Sequence, residues 1–214
     1  PSRVLQRLVA GRTRALDLGV LTLHDRAGAP LQRAFINVAS VGISSDIDER
    51  VEQGPKWLGG KAAFYLATVS ATLGYRNVPV ELKLDGESWY RGPTYVTAIA
   101  NGQYFGGGMQ IAPDAAPDDG WLDVVCLGDI SRSTAVSLSA KIYTGAHLGT
   151  PGIQSRRARH VEVHALRPSD SVLVDVDGET PGYLPLSARI IPGAWQMVVD
   201  PPAGQEPERG LKPV

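Results

Sequence analysis

Two acidic stretches hold the side chains whose types and spacing could do chemistry. Residues 101–123, NGQYFGGGMQIAPDAAPDDGWLD, join an Asn-Gly pair, a triple glycine and an aspartate-rich turn. Successive glycines allow backbone conformations closed to residues with a Cβ and let a ligand come close, so Gly106, Gly107 and Gly108, with Asn101 before them, are candidates to line a cleft. A bulged hairpin whose glycines serve only geometry is the alternative, and no Lys-Ser/Thr ending of a phosphate-binding loop follows them. Asp114, Asp118, Asp119 and Asp123 fall within ten positions. A turn that presents a carboxylate beside free backbone carbonyls suits a hard cation such as magnesium, although aspartates in Pro-Asp and Asp-Gly turns also cap their own backbone.

The second stretch is VLVDVDGET at 172–180. Side chains alternate along a strand, so a strand running through it would deliver Asp175, Asp177 and Glu179 onto one face. Crowded carboxylates raise at least one pKa, and one so placed can act as a general base toward a hydroxyl or help hold magnesium. The competing reading is a turn at Asp177-Gly178 with the acids solvated.

Other chemistries find little support. His24, His147, His160 and His164 show no metal-ligand spacing, and no serine sits in a G-x-S-x-G elbow. The single cysteine, Cys126, excludes an internal disulfide or a cysteine zinc cage and lies in an apolar run, as a buried thiol does. Arg156, Arg157 and Arg159 could meet phosphate or an anionic membrane, or form a solvated strand edge that discourages aggregation. Trp57, Trp89, Trp121 and Trp195 read as core or edge residues.

These groups need a scaffold, and 214 residues with 43% hydrophobic and 20% charged composition can bury one. With 21 Lys+Arg against 22 Asp+Glu the net charge is −1, so no global basic field holds a nucleic acid. No apolar stretch approaches the roughly 20 residues of a spanning helix. The 24 glycines and 16 prolines point to many tight turns between short strands. Strands are expected at 14–24 and 33–41, as an antiparallel pair around DRAGAP, then at 77–84, 93–101, 121–127, 158–164, 171–177, 184–191 and 194–199. Helices are expected at 3–10, from Ser45 to Gln53, across about 58–73 and at 131–144. The polar, Pro-rich tail at 201–214 lacks periodicity and is expected to be disordered.

In order, LDLG (16–19), FINVASVGIS (35–44), GGKAAFYLATV (59–69), the 101–125 block and VDGE (176–179) resemble one family. This combination is similar to the C-terminal domain of the bacterial diacylglycerol kinase-like lipid kinases, relatives of sphingosine and ceramide kinases. The resemblance implies a mainly β fold: an antiparallel β-sandwich-like domain with a few covering helices over residues 14–200. In the family an N-terminal domain with a GGDGT-type loop binds ATP, and a lipid hydroxyl is phosphorylated in the cleft between the domains.

Carried over by position, the resemblance makes Glu179 the proton acceptor with Asp177 beside it. It assigns magnesium to the Asp119 carboxylate and the backbone carbonyls of Ala116 and Trp121. No GGDGT stretch occurs here, so residues 1–13 are expected to be the remnant of a linker from a missing nucleotide-binding domain, and the chain alone is expected to be inactive. The expected partners are ATP, that domain, and diacylglycerol or a similar lipid met at the cytoplasmic membrane surface. Self-association is compatible with this reading. A non-catalytic lipid- or protein-binding β-sandwich with a structural metal site is the alternative, and an NAD kinase, which shares the two-domain plan, ranks behind both.

Overall fold

The computed structural model describes residues 13–44, 47, 70–72, 74–167 and 169–199. The expected helices at 3–10 and 45–53, nearly all of that at 58–73, Trp57 and the 201–214 tail lie outside the described residues; Ser70, Ala71 and Thr72 are helical.

The strands are β1 (Thr13–Asp25), β2 (Pro30–Phe35), β3 (Val38–Gly42), β4 (Val78–Leu84), β5 (Glu87–Thr94), β6 (Val96–Ala100), β7 (Tyr104–Phe105), β8 (Met109–Gln110), β9 (Leu122–Leu127), β10 (Ile153–Ala158), β11 (His160–Ala165), β12 (Leu173–Val176) and β13 (Glu179–Val198). All pairings are antiparallel, and the main sheet runs β10, β9, β6, β3, β12, β13, β11, β4, β5, with β1 joining β13 to β2. This is the mainly β architecture expected from the turn-rich composition, in the sandwich-like form that the family resemblance implies.

Curling is concentrated in β13. One of its edges pairs with β1 from Gly182 to Val198, while the other pairs with β12 up to Tyr183 and with β11 from Leu186. The strand thus passes from one layer to the other. Leu21, Phe35, Val41, Leu82, Ile99, Val163 and Leu186 close the core between the layers.

Every residue of β3, β6 and β9 is buried. Alternation sends Ala39, Ile99 and Val124 inward and Val38, Ala98 and Val125 to a second apolar cluster on the outer face. Helix α1 (Arg132–Lys141) covers that face with Ala135 and Leu138, followed by Ile142 in a 3-10 turn. Ser131 caps α1, its side chain accepting a hydrogen bond from the Thr134 N–H. The expected helix at 131–144 is thus α1 plus that turn.

Several expected boundaries shift. The run at 33–41 belongs to two strands, broken at Ile36-Asn37, and that at 93–101 spans the end of β5 and all of β6. Strands β5 and β10 were not expected over most of their length, because both are largely solvent-facing and carry no apolar alternation. The two expected C-terminal strands are one bent strand, with a register shift in its pairing to β1 between Leu16 and Leu18.

Candidate active site

The β12–β13 hairpin settles how the second acidic stretch is built. Strand β12 stops at Val176, which pairs with Glu179, and the connection is Asp177 (φ 50°) and Gly178 (φ 89°). Two positive φ values make the tight hairpin turn that Asp-Gly favours. The turn at Asp177-Gly178 therefore holds, the continuous strand with three acids on one face is corrected, and so is the expectation that all the acids are merely solvated, because Asp175 is buried.

Each acid has a separate environment. Asp175 is buried; its Oδ1 accepts from Gly178 N at 2.9 Å and its Oδ2 from Ser40 Oγ at 3.0 Å. The exposed Asp177 accepts from the backbone N–H groups of Ile36 (2.9 Å), Asn37 (3.2 Å) and Val38 (2.9 Å), and its own N–H donates to the Val38 carbonyl. A carboxylate holding three backbone donors locks the turn to the start of β3. Glu179, the next residue but one, is exposed at the start of β13.

Beside this turn opens a pocket of about 200 Å³ between α1 and the outer face of β3 and β6. Val38, Ile43, Tyr95, Val96, Met109 and Leu138 supply apolar wall. Asn37, Gly106, Asp175, Asp177 and Gly178 also line it, so the first residue of the glycine triplet and the acidic hairpin meet at one cavity; Glu179, next in sequence after Gly178, is not part of the lining. The Tyr95 hydroxyl lies 2.7 Å from Thr72 Oγ1, and burial raises its pKa.

Gly106, Gly107 and Gly108 form a 3-10 turn between β7 and β8 with φ of 33°, 67° and 93°. That backbone is left-handed throughout and favours glycine. Only Gly106 of the three reaches the pocket lining. Asn101 does not line it: buried, it donates through Nδ2 to the Asp17 and Ile36 carbonyls. Its expected cleft-lining role is therefore corrected to fixing the backbone behind the cleft. Asn37, not singled out by sequence, does line the pocket and donates through Nδ2 to the Tyr104 carbonyl at 2.7 Å. A polar residue interrupting the apolar run at 35–41 was the available signal.

The first acidic turn is held from below by LDLG. Asp17 is buried and accepts from the Gly120 N–H at 2.6 Å and the Gly193 N–H at 2.7 Å. Asp118 pairs with Arg14 and Asp119 with Arg157, while Asp119 Oδ1 accepts from Trp121 N. Burial raises the pKa of Asp123, against the opposing charge of Arg157 3.7 Å away. Arg157 and Arg159 lie over the Trp121 ring at 5.6 and 4.5 Å from its centroid.

Asp119 and the Ala116 and Trp121 carbonyls offer hard oxygens of the kind magnesium takes. Arg157 already neutralises the one carboxylate among them, so a cation there displaces that ion pair. Among the described residues no group of three or more His, Cys, Asp or Glu is arranged to hold a metal. The aspartate turn borders a different depression, lined in part by Asp114, Asp123, Arg156 and Arg157, so the two acidic stretches do not share one pocket. They are linked through backbone: Asp17 carries the first turn, Asn101 bridges Asp17 to Ile36, and Ile36 binds Asp177.

Of the remaining reactive groups, Cys126 is buried, which raises its thiol pKa and keeps it inert. Among the described residues no helix is long and apolar enough to cross a membrane.

Known proteins share both the sequence and the fold. Residues 37–199 match the YegS C-terminal NAD kinase beta sandwich-like domain. A diacylglycerol kinase of Mycobacterium tuberculosis (strain CDC 1551 / Oshkosh) is 29% identical over 198 residues, covering 92% of this chain and 61% of that protein. A diacylglycerol kinase of Bacillus subtilis (strain 168) is 24% identical over 178 residues, 83% of this chain and 54% of its own length. This chain therefore spans about three fifths or less of these curated relatives. A crystal structure of a diacylglycerol kinase from Bacillus anthracis str. Sterne superposes with a TM-score of 0.60 at 17% identity, covering 91% of this chain and 57% of that one, which establishes the shared fold. The chain thus belongs to the YegS C-terminal NAD kinase beta sandwich-like domain family and is related to the diacylglycerol and lipid kinases.

Proposed function

We propose that this chain is the substrate-side domain of an ATP-dependent lipid kinase that phosphorylates a hydroxyl of diacylglycerol or a similar lipid. The observation that carries the reading is the apolar pocket lined at one end by Gly106 and the Asp177-Gly178 turn, which Glu179 follows in sequence. An acyl chain buries its methylenes against Val38, Val96 and Leu138, gaining about 0.8 kcal/mol per CH₂. The lipid hydroxyl then lies at the polar end.

In the transfer, the lipid oxygen forms a bond to the γ-phosphorus of ATP, the bond to the β-phosphate oxygen breaks, ADP leaves, and the hydroxyl proton passes to Glu179. Asp177 and Asp175 hold the turn that carries Glu179. ATP is held by an N-terminal nucleotide-binding domain, without which this chain is inactive. Magnesium, when bound, supplies charge neutralisation for the phosphates; on this chain the oxygens of Asp119, Ala116 and Trp121 would hold an ion. The enzyme meets its lipid as a peripheral protein at the cytoplasmic membrane surface.

The test is Glu179→Gln in the complete protein, assayed with MgATP and diacylglycerol in mixed micelles. Turnover is expected to fall at least about a hundredfold, the scale of a lost general base, with lipid binding retained. Full retained turnover removes Glu179 from the base role. Because Glu179 stands outside the pocket lining, a non-catalytic lipid carrier is the second reading. It is distinguished by lipid binding without phosphate transfer in the complete protein.

A further inference from the structure

The pocket is not apolar throughout. Ser44, 6% exposed, belongs to its lining, and behind it stands Ser40, 0% exposed, with the two Oγ atoms 2.8 Å apart. Ser40 Oγ also lies 3.0 Å from Asp175 Oδ2, and Asp175 Oδ1 accepts from Gly178 N, the residue before Glu179. A chain of three buried polar side chains thus runs from Ser44 to the turn that carries the proposed base, and Asp175 at its far end lines the pocket as Ser44 does. Burying three such groups costs stability unless each is satisfied, and an apolar trio would fill the space without that cost.

A hydroxyl has one proton to give and two lone pairs to accept with. The contact with Ser40 uses one of these, so Ser44 keeps hydrogen-bonding capacity at a pocket of otherwise mostly apolar lining. A ligand hydroxyl meets that capacity whichever way the protons run, because it both donates and accepts. An ester carbonyl only accepts. We propose that Ser44, backed by Ser40 and Asp175, is a second polar subsite that takes a free, non-reacting hydroxyl of the lipid head where one is present, so that a lipid diol is preferred to the matched single-alcohol lipid. This rests on the lipid-kinase reading above and deepens it by naming the substrate class.

Two lipids of equal chain length isolate the group: 1-oleoylglycerol, which keeps a hydroxyl beside the reacting one, and 3-hydroxypropyl oleate, which lacks only that hydroxyl. With the complete protein and MgATP, kcat/KM is expected to favour the glycerol ester by roughly three- to tenfold, the scale of one hydrogen bond. The difference is expected to lie mainly in KM. Ser44→Ala is expected to abolish the preference, lowering activity on the glycerol ester more than activity on the propanediol ester until the two are equal. Ser44→Thr, which retains a hydroxyl, is expected to restore it.

Equal activity of the wild type on both lipids, or a preference that survives Ser44→Ala, overturns the diol subsite while leaving the kinase reading intact. Phosphate transfer to neither these lipids nor diacylglycerol overturns both readings together. A phosphatidylglycerol arm identifies the source of the diol: turnover that depends on Ser44 more steeply there than with 1-oleoylglycerol places it in a phospholipid headgroup and supports the subsite. Dependence on Ser44 with neither diol overturns it.

Discussion

Replacing Asp177 separates a clamp from a catalyst. Its carboxylate accepts from three backbone donors, two in exposed surroundings and one, from Val38, partly buried. Water replaces the acceptor cheaply at Ile36 and Asn37, whereas the Val38 N–H left without a partner costs about 1–3 kcal/mol. Asp177 also has a φ of 50°, where alanine is penalised by about a further 1–2 kcal/mol and asparagine is tolerated. Asp177→Ala should therefore lose about 2–5 kcal/mol. Asp177→Gly, freed of the backbone penalty, should lose about 1–3 kcal/mol, and Asp177→Asn, which keeps one carbonyl acceptor, about 1 kcal/mol.

Urea unfolding of the chain reads these differences, and for a domain of this size the alanine variant should melt on the order of 10 °C lower. The ordering Ala, Gly, Asn is the signature of a clamp on a left-handed turn. An alanine variant within about 0.5 kcal/mol of the parent refutes the clamp, because surface changes away from special features fall in that range. Complete loss of turnover in Asp177→Asn at unchanged stability refutes it differently, by placing Asp177 in the chemistry.

Two further outcomes follow from the buried and paired charges. His147 is wholly buried, with Nε2 3.0 Å from the Ile111 carbonyl, and burial holds its pKa below 6.5. The unfolded chain therefore takes up a proton before the folded one does, so stability is full above about pH 6.5 and falls as the pH drops below it; His147→Gln should flatten the difference in urea stability between about pH 7 and pH 5.5. Arg157→Ala frees the second oxygen of Asp119, so calorimetry should show tighter Mg²⁺ binding to that variant. An unchanged affinity removes Asp119 from the ligand set.

The parts of the fold that were legible in sequence are those whose burial follows one simple pattern. The β9 run LDVVCL and the β6 run VTAIA are apolar because they are covered on both faces, and short apolar runs bounded by turn residues announce that. Strand β10 is the opposite case. It is an edge strand with four exposed residues in succession, Gln154 to Arg157, held by backbone pairing to β9 rather than by side-chain burial. Arg156 and Arg157 there are exposed as a solvated edge requires, although Arg157 also pairs with Asp119 and lies over Trp121.

At the site, the Asp-Gly pair marked a turn by its own chemistry, and the glycine triplet marked a left-handed bend. What sequence could not supply was long-range. Asp177 and Ile36 are 141 positions apart, as Asp17 and Gly193 are 176 apart. The pocket lining is drawn from segments as distant as Asn37 and Gly178. Asn101 illustrates the cost: a conspicuous polar residue beside a glycine suggested a cleft, yet its amide is spent on joining two backbone segments.

The two-faced burial of β3 and β6 limits how the cavity can be reshaped. Val38 and Val96 line the cavity, while their neighbours Ala39 and Thr97 point into the sandwich, so enlarging one side risks dislocating the other. Helix α1 carries no such double duty: Ala135, Leu138 and Ser139 line the cavity from an element whose far side is solvent. A change in the size or shape of the cavity is thus most readily made by substitutions in this helix, leaving the strand scaffold and its hydrogen-bonded hairpin constant.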